Sequence, residues 1–132
     1  MSWQVNDAEF ASVLALPAPR RYEYFVKRVA SHGWLWSLRG GDGWVIAEDG
    51  EGDQHFPVWP HERFAKALAT GQWSDAAPVA IDIDEWVEEW LPDLDGDGIR
   101  VAVFQTPDDQ GIGVSPRRLK RDLQTELEQF NL

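Results

Sequence analysis

Tyr22, Phe25, Val26 and Val29 recur at helical spacing, and a few residues later Trp34, Trp36 and Leu38 alternate with Leu35, Ser37 and Arg39. The first pattern predicts a helix from about Arg20 to His32, with Gly33 as its stop. The second, of period two, predicts a strand. Upstream, Phe10, Val13 and Leu14 mark a short helix that Asn6 or Asp7 can cap, and Leu16-Pro17-Ala18-Pro19 ends it. Downstream, Gly40-Gly41-Asp42-Gly43 and Asp49-Gly50-Glu51-Gly52-Asp53 are turns. They set off strands at 44–48 and 54–58, so residues 34–58 read as a three-stranded antiparallel meander. Pro57 places its strand at an edge or ends it early.

Pro60 or His61 opens a third helix carrying Phe64, Ala65 and Leu68, closed near Gly71. Val79-Ala80-Ile81 is a short strand. Asp82 or Asp84 then caps a helix with Ile83, Trp86, Val87, Trp90 and Leu91 on one face. Asp95-Gly96-Asp97-Gly98 turns the chain into a strand at 99–104, and Ile112-Gly113-Val114 returns after a hairpin loop. Ser115-Pro116 starts the last helix, whose apolar face is Leu119, Leu123, Leu127 and Phe130. The order is ααβββαβαββα: one α+β domain over residues 1–132, a mostly antiparallel sheet flanked by helices.

Composition sharpens this picture in two ways. Eight tryptophans in 132 residues imply a dense aromatic core, some of it at the rim where indole N–H groups find partners. Trp34 and Trp36 share a strand face and Trp44 can pair with them across the hairpin. Trp59 and Trp73, beside prolyl and glycyl turns, are expected to be partly exposed. The formal net charge of −11 is uneven. Residues 1–39 hold five basic against three acidic groups, residues 40–99 two against fifteen, and residues 100–132 five of each. An acidic middle repels nucleic acid and anionic membranes and attracts a basic protein. With no cysteine there is neither a disulfide framework nor a thiolate zinc site. No signal peptide or membrane span is visible, and a cytoplasmic protein is expected.

Several blocks carry a resemblance. Tyr22-Glu23-Tyr24-Phe25-Val26-Lys27-Arg28-Val29, Trp36-Ser37-Leu38, Asp42-Gly43-Trp44-Val45, Pro57-Val58-Trp59-Pro60-His61, Trp90-Leu91-Pro92, Val101-Ala102-Val103-Phe104 and Val114-Ser115-Pro116 occur in this order. Over about residues 20–128 the chain resembles a small bacterial family known as domain of unknown function 2750. The resemblance implies a compact α+β domain from Gram-negative bacteria and brings no activity, so no catalytic residue can be carried over. Gln105 departs from the proline more often expected before Thr106-Pro107. The segment around Pro57-Val58-Trp59-Pro60 also resembles, at fold level only, the N-terminal domain of the secretion-enhancing protein SseB.

Four groups of residues carry candidate chemistry. Asp93, Asp95 and Asp97 with Gly98 reproduce the first half of an EF-hand loop, but Arg100 stands at its eighth position and Phe104 at its twelfth, where a bidentate glutamate belongs. A distant carboxylate, Glu88 or Glu89, would have to complete a calcium site there. His55 and His61 flank a strand end and a helix start, and with Asp42 or Glu48 could serve as acid and base of a hydrolase. Ser37 and Ser115 lie in no nucleophile elbow, and Ser115 is read as a cap. Arg117, Arg118, Lys120 and Arg121 cluster at the start of the last helix, against its dipole. They could meet an acidic partner or the chain's own acidic middle.

The leading reading is a non-enzymatic domain that binds a basic protein, inhibitor- or immunity-like in one form, through a surface around Trp59, His61, Trp73 and Trp44. No cofactor is implied. The alternatives are a hydrolase built on His55 and His61, and a weak calcium module at Asp93, Asp95 and Asp97.

Overall fold

The computed structural model describes residues 4–48 and 50–130, the side chain of Phe130 excepted; Asp49 and the Phe130 side chain, read above in a turn and on a helix face, lie outside it. The local signals place the helices well. Helix α1 spans Asp7–Leu14, and Asn6 accepts the Glu9 N–H at 2.8 Å as its cap. Helix α2 spans Ala18–His32, two residues earlier than expected, because Pro17 and Pro19 sit where a helix start tolerates proline. Gly33 ends it with φ +84°, a left-handed conformation that glycine adopts without a Cβ clash.

Strands and short helices follow: β1 Trp34–Gly40, β2 Gly43–Trp44, β3 Ala47–Glu48, β4 Gln54–Val58, α3 Glu62–Lys66 and β5 Ala77–Asp82. Then come α4 Ile83–Glu85, a wide π turn Trp86–Trp90, α5 Leu91–Gly96, β6 Arg100–Val103, β7 Ile112–Val114 and α6 Pro116–Phe130. Asp82 caps α4 by accepting from Asp84 N–H at 2.8 Å. Ser115 caps α6 by accepting from Arg118 N–H at 3.2 Å.

The fold is α+β with mostly antiparallel pairing, but the meander expected over residues 34–58 does not form. The strand expected at 44–48 breaks at Val45 and Ile46 into two two-residue pieces, and each piece joins a different sheet. One sheet has the order β2-β1-β5 and is antiparallel throughout; the other runs β3-β4-β6-β7, with β4 parallel to β6. Reciprocal hydrogen bonds of 2.9 Å between the backbones of Trp36 and Trp59 join the sheets.

Pro57 therefore sits in an internal strand and not at an edge, one residue before that strand ends at Val58. The Phe104 N–H donates to the Val58 carbonyl at 2.9 Å. In a parallel ladder this turns Phe56 and Val58 toward β6, and His55 and Pro57 toward β3. Strand β3 stops opposite His55, so the proline nitrogen faces no ladder. The Pro57 carbonyl accepts instead from the buried Ser37 hydroxyl at 2.6 Å.

One continuous cluster of buried residues runs through both sheets, with Phe25, Leu35, Trp59, Phe64, Trp86, Phe104, Leu119 and Leu123 fully enclosed. Helix α2 packs on α6 at the back of this cluster. Among the described residues no helix is long and apolar enough to cross a membrane.

Candidate functional site

Two hollows in the surface are built from chemically distinct residues. The first follows the outer face of α4, the π turn and α5. Pro92 has no N–H for the Glu88 carbonyl, and its ring would crowd that oxygen in a regular helix. The turn widens, and the Leu91 N–H reaches back five residues to the Trp86 carbonyl. Trp86 is thereby fully buried and Trp90 half-buried beneath the helix. They form a four-ring cluster with Phe56 and Trp44: Trp44–Trp90 centroids lie 5.0 Å apart edge-to-face, Phe56–Trp90 5.3 Å and Phe56–Trp86 5.7 Å. The Trp86 indole nitrogen makes no hydrogen bond among the described residues. Outside, Glu85, Glu89, Asp93 and Asp97, spaced four apart, line a groove of about 370 Å³ whose apolar wall is Trp90 and Leu94. None of the four carboxylates has an ion pair among the described residues.

The second hollow, of about 140 Å³, lies over the β3-β4-β6-β7 sheet. Glu48, His55, Gln105 and Gln110 form its polar walls, and Ala102 and Gly113 are part of its floor. Its frame is the loop after β6. Phe104 has φ +60°, a left-handed conformation uncommon for a bulky residue. Three fastenings hold the backbone there. The buried Arg21 guanidinium donates to the Phe104 carbonyl at 3.2 Å, to the Leu16 carbonyl at 2.5 Å and to the Asp109 carboxylate. The Trp59 indole N–H donates to the Gln105 carbonyl at 2.8 Å. Thr106 and Asp109 exchange backbone hydrogen bonds of 2.8 and 3.2 Å.

The residues singled out from sequence fall into separate places. Trp59, expected to be partly exposed, is fully buried, because its backbone bridges the two sheets and its indole ties down the loop. His61 caps α3, its Nδ1 accepting the Arg63 N–H at 3.1 Å. The pKa of the neighbouring His32 is lowered from the usual 6.5, first by burial, then by the charges of Arg28 and His61, with Glu9 opposing. Trp73 is half-buried in a single tight turn, Gly71–Trp73. Trp44 lies opposite Arg39, whose guanidinium stands 5.6 Å from its ring. That register puts Trp44 on the face away from Trp34 and Trp36, and so removes the cross-hairpin tryptophan pairing. Trp34, read as sharing a strand face with Trp36, is 50% exposed: the enclosed face of β1 there belongs to Leu35 and Ser37, and Trp34 stands opposite Asp82.

His55 shares a hollow with Glu48, not with His61 or Asp42. Ser37 and Ser115 spend their hydroxyls on Pro57 and on the α6 cap. Asp93 and Asp95 lie on α5, not in a loop, so their carboxylates stand along a helix instead of wrapping one point. Asp95 takes the Arg117 guanidinium at 3.0 Å, so part of the basic cluster does meet the chain's own acidic middle. Among the described residues no three carboxylates or imidazoles are grouped to hold a metal ion.

A family model described as protein of unknown function (DUF2750) matches residues 22–123, from the second turn of α2 to the middle of α6. The chain belongs to this family. The match takes in both hollows and leaves out α1 and Arg21. No curated protein and no solved structure matches the chain, and the likeness to the SseB N-terminal domain is not shown.

Proposed function

We propose that this family member is a non-catalytic binding domain that takes a basic segment of another protein along the α4–α5 groove. The observation that carries the reading is the run Glu85, Glu89, Asp93 and Asp97 beside Trp90 and Leu94, with no cation on any of the four among the described residues. Like charges four apart on a helix destabilise it by about 0.2–0.5 kcal/mol per pair. A chain that keeps them in line, on a helix whose inner face is committed to aromatic packing, holds a surface suited to lysine or arginine. The half-buried Trp90 adds a ring face for such a cation. The exposed Trp34, opposite the α4 cap Asp82, offers an apolar anchor at one end of the acidic run. This moves the surface expected around Trp59, His61 and Trp73 to the other side of Trp44, which contacts Trp90 from beneath. An inhibitor-like domain that masks a basic enzyme surface is one form of the same reading.

The test is a titration with an arginine- and lysine-rich helical peptide, followed by amide chemical shifts. Shifts should concentrate on residues 82–97 and Trp34. Affinity should fall steeply with added salt and at least ~10-fold in the Glu85→Gln/Glu89→Gln double variant. Shifts spread evenly over all acidic loops, or a double variant that binds as well, would refute the groove.

A further inference from the structure

We propose that the hollow over β3, β4, β6 and β7 is a socket for a single alkylguanidinium group, separate from the acidic groove and independent of its role. Two observations meet there. The frame is held more firmly than a connecting loop requires. Besides the bonds from Arg21 and Trp59, Gly111 has φ +77°, and a Cβ there would stand 2.5 Å from the Val103 carbonyl oxygen. A left-handed Phe104 persists only because its surroundings over-determine it, and such strain gathers where geometry serves a ligand.

The side chains on that frame, by contrast, are uncommitted. Glu48, His55, Gln105 and Gln110 make no side-chain hydrogen bond or ion pair among the described residues, although all four line the same hollow. The floor is cut to size. The His55 imidazole fills the space that a side chain at Gly113 would need, Nε2 lying 2.8 Å from where its Cβ would be. Small residues thus leave about 140 Å³, the share of roughly four or five waters.

The chemistry of the walls selects the occupant. One carboxylate and two carboxamide oxygens accept hydrogen bonds, the imidazole accepts when neutral, and the net charge of −11 disfavours anions. A planar fork of N–H donors fits a carboxylate in two-point contact better than a point-like ammonium does. The chain's own Arg100 guanidinium donates to the Gly113 carbonyl at 3.1 Å and makes no ion pair with Glu48 among the described residues.

Methylguanidinium, titrated at about 150 mM salt where long-range attraction is screened, tests this. The Gln105 and Gln110 side-chain amides and the His55 ring should shift saturably. Glu48→Gln should weaken the binding about 10-fold or more, and Glu85→Gln/Glu89→Gln should leave it unchanged. Methylammonium should bind less tightly. A blocked arginine amide serves as a second arm. If it binds as well as methylguanidinium, the socket takes an arginine of a partner protein; if it is excluded, the socket takes a free small guanidinium compound. Absent shifts, shifts indifferent to Glu48→Gln, shifts lost only with the groove variant, or equal binding of methylammonium would overturn the proposal.

Discussion

The two hollows solve opposite problems. The acidic groove sits on a helix whose inner face is rich in apolar contacts and whose outer face repels itself. The His55 hollow lies over a sheet and is framed by an irregular loop that is tied into place by hydrogen bonds from distant residues. In the first, stability comes from packing and the exposed charges reduce it. In the second, stability comes from polar fastenings, and the exposed side chains contribute little. The same fold thus supports a run of carboxylates on hydrophobic mortar and a mixed polar hollow held by hydrogen-bonded ties.

That contrast can be broken in order of effect. Trp86→Ala should be the largest loss, about 4 kcal/mol of unfolding free energy by denaturant titration, because it opens a cavity against Phe56 and Trp90. Arg21→Met should cost about 3 kcal/mol and, unlike Trp86→Ala, should concentrate its amide shifts at residues 104–111. It strips the donors from the buried Phe104 carbonyl and the half-buried Leu16 carbonyl. The two indoles then separate the plans more finely. Trp59→Phe loses a hydrogen bond to Gln105 and should cost about 1–2 kcal/mol more than Trp86→Phe, whose indole N–H has no partner among the described residues. Glu89→Gln should raise stability by about 0.5 kcal/mol at low salt while lowering affinity for a basic peptide, so that stability and binding move in opposite directions.

The smallest effect is with pH. The lowered His32 pKa means the unfolded chain binds the proton more readily than the folded one. Stability carried by this group is full above the ordinary histidine value of 6.5 and declines as pH falls below it. His32→Gln should flatten that part of the melting-temperature profile, leaving the later decline from carboxylate protonation in place.

Local chemistry made the helices legible in the sequence: Asn6, Asp82 and Ser115 cap the helices they precede, and Gly33 stops α2. The apolar faces of α2 and α6 follow their spacing. Strand pairing was less legible, because it depends on residues far apart. Nothing around Val45 and Ile46 announces that the chain changes sheets there. The sequence Val58-Trp59-Pro60 reads as a strand running into a turn, yet Trp59 bridges to Trp36 and is enclosed. Arg20-Arg21 looks like an ordinary solvated pair. The available signal was Arg21's position four residues before Phe25, on the apolar stripe, where an arginine must find buried acceptors. The acidic run at 85, 89, 93 and 97 was hidden by expecting a turn at Asp95-Gly96-Asp97-Gly98. The helix continues to Gly96, which sets the four carboxylates in line. The His55 hollow joins residues from three separate stretches of the chain, and no spacing rule brings them together.

Arg21 joins Phe104 and Asp109 across separations of 83 and 88 positions. Until α2 has docked, the carbonyls it serves keep their water and the left-handed backbone at Phe104 has nothing to hold it. Docking of α2 and completion of the His55 hollow are therefore one event, and Arg21→Met is expected to lower hydrogen-exchange protection at residues 104–111 first.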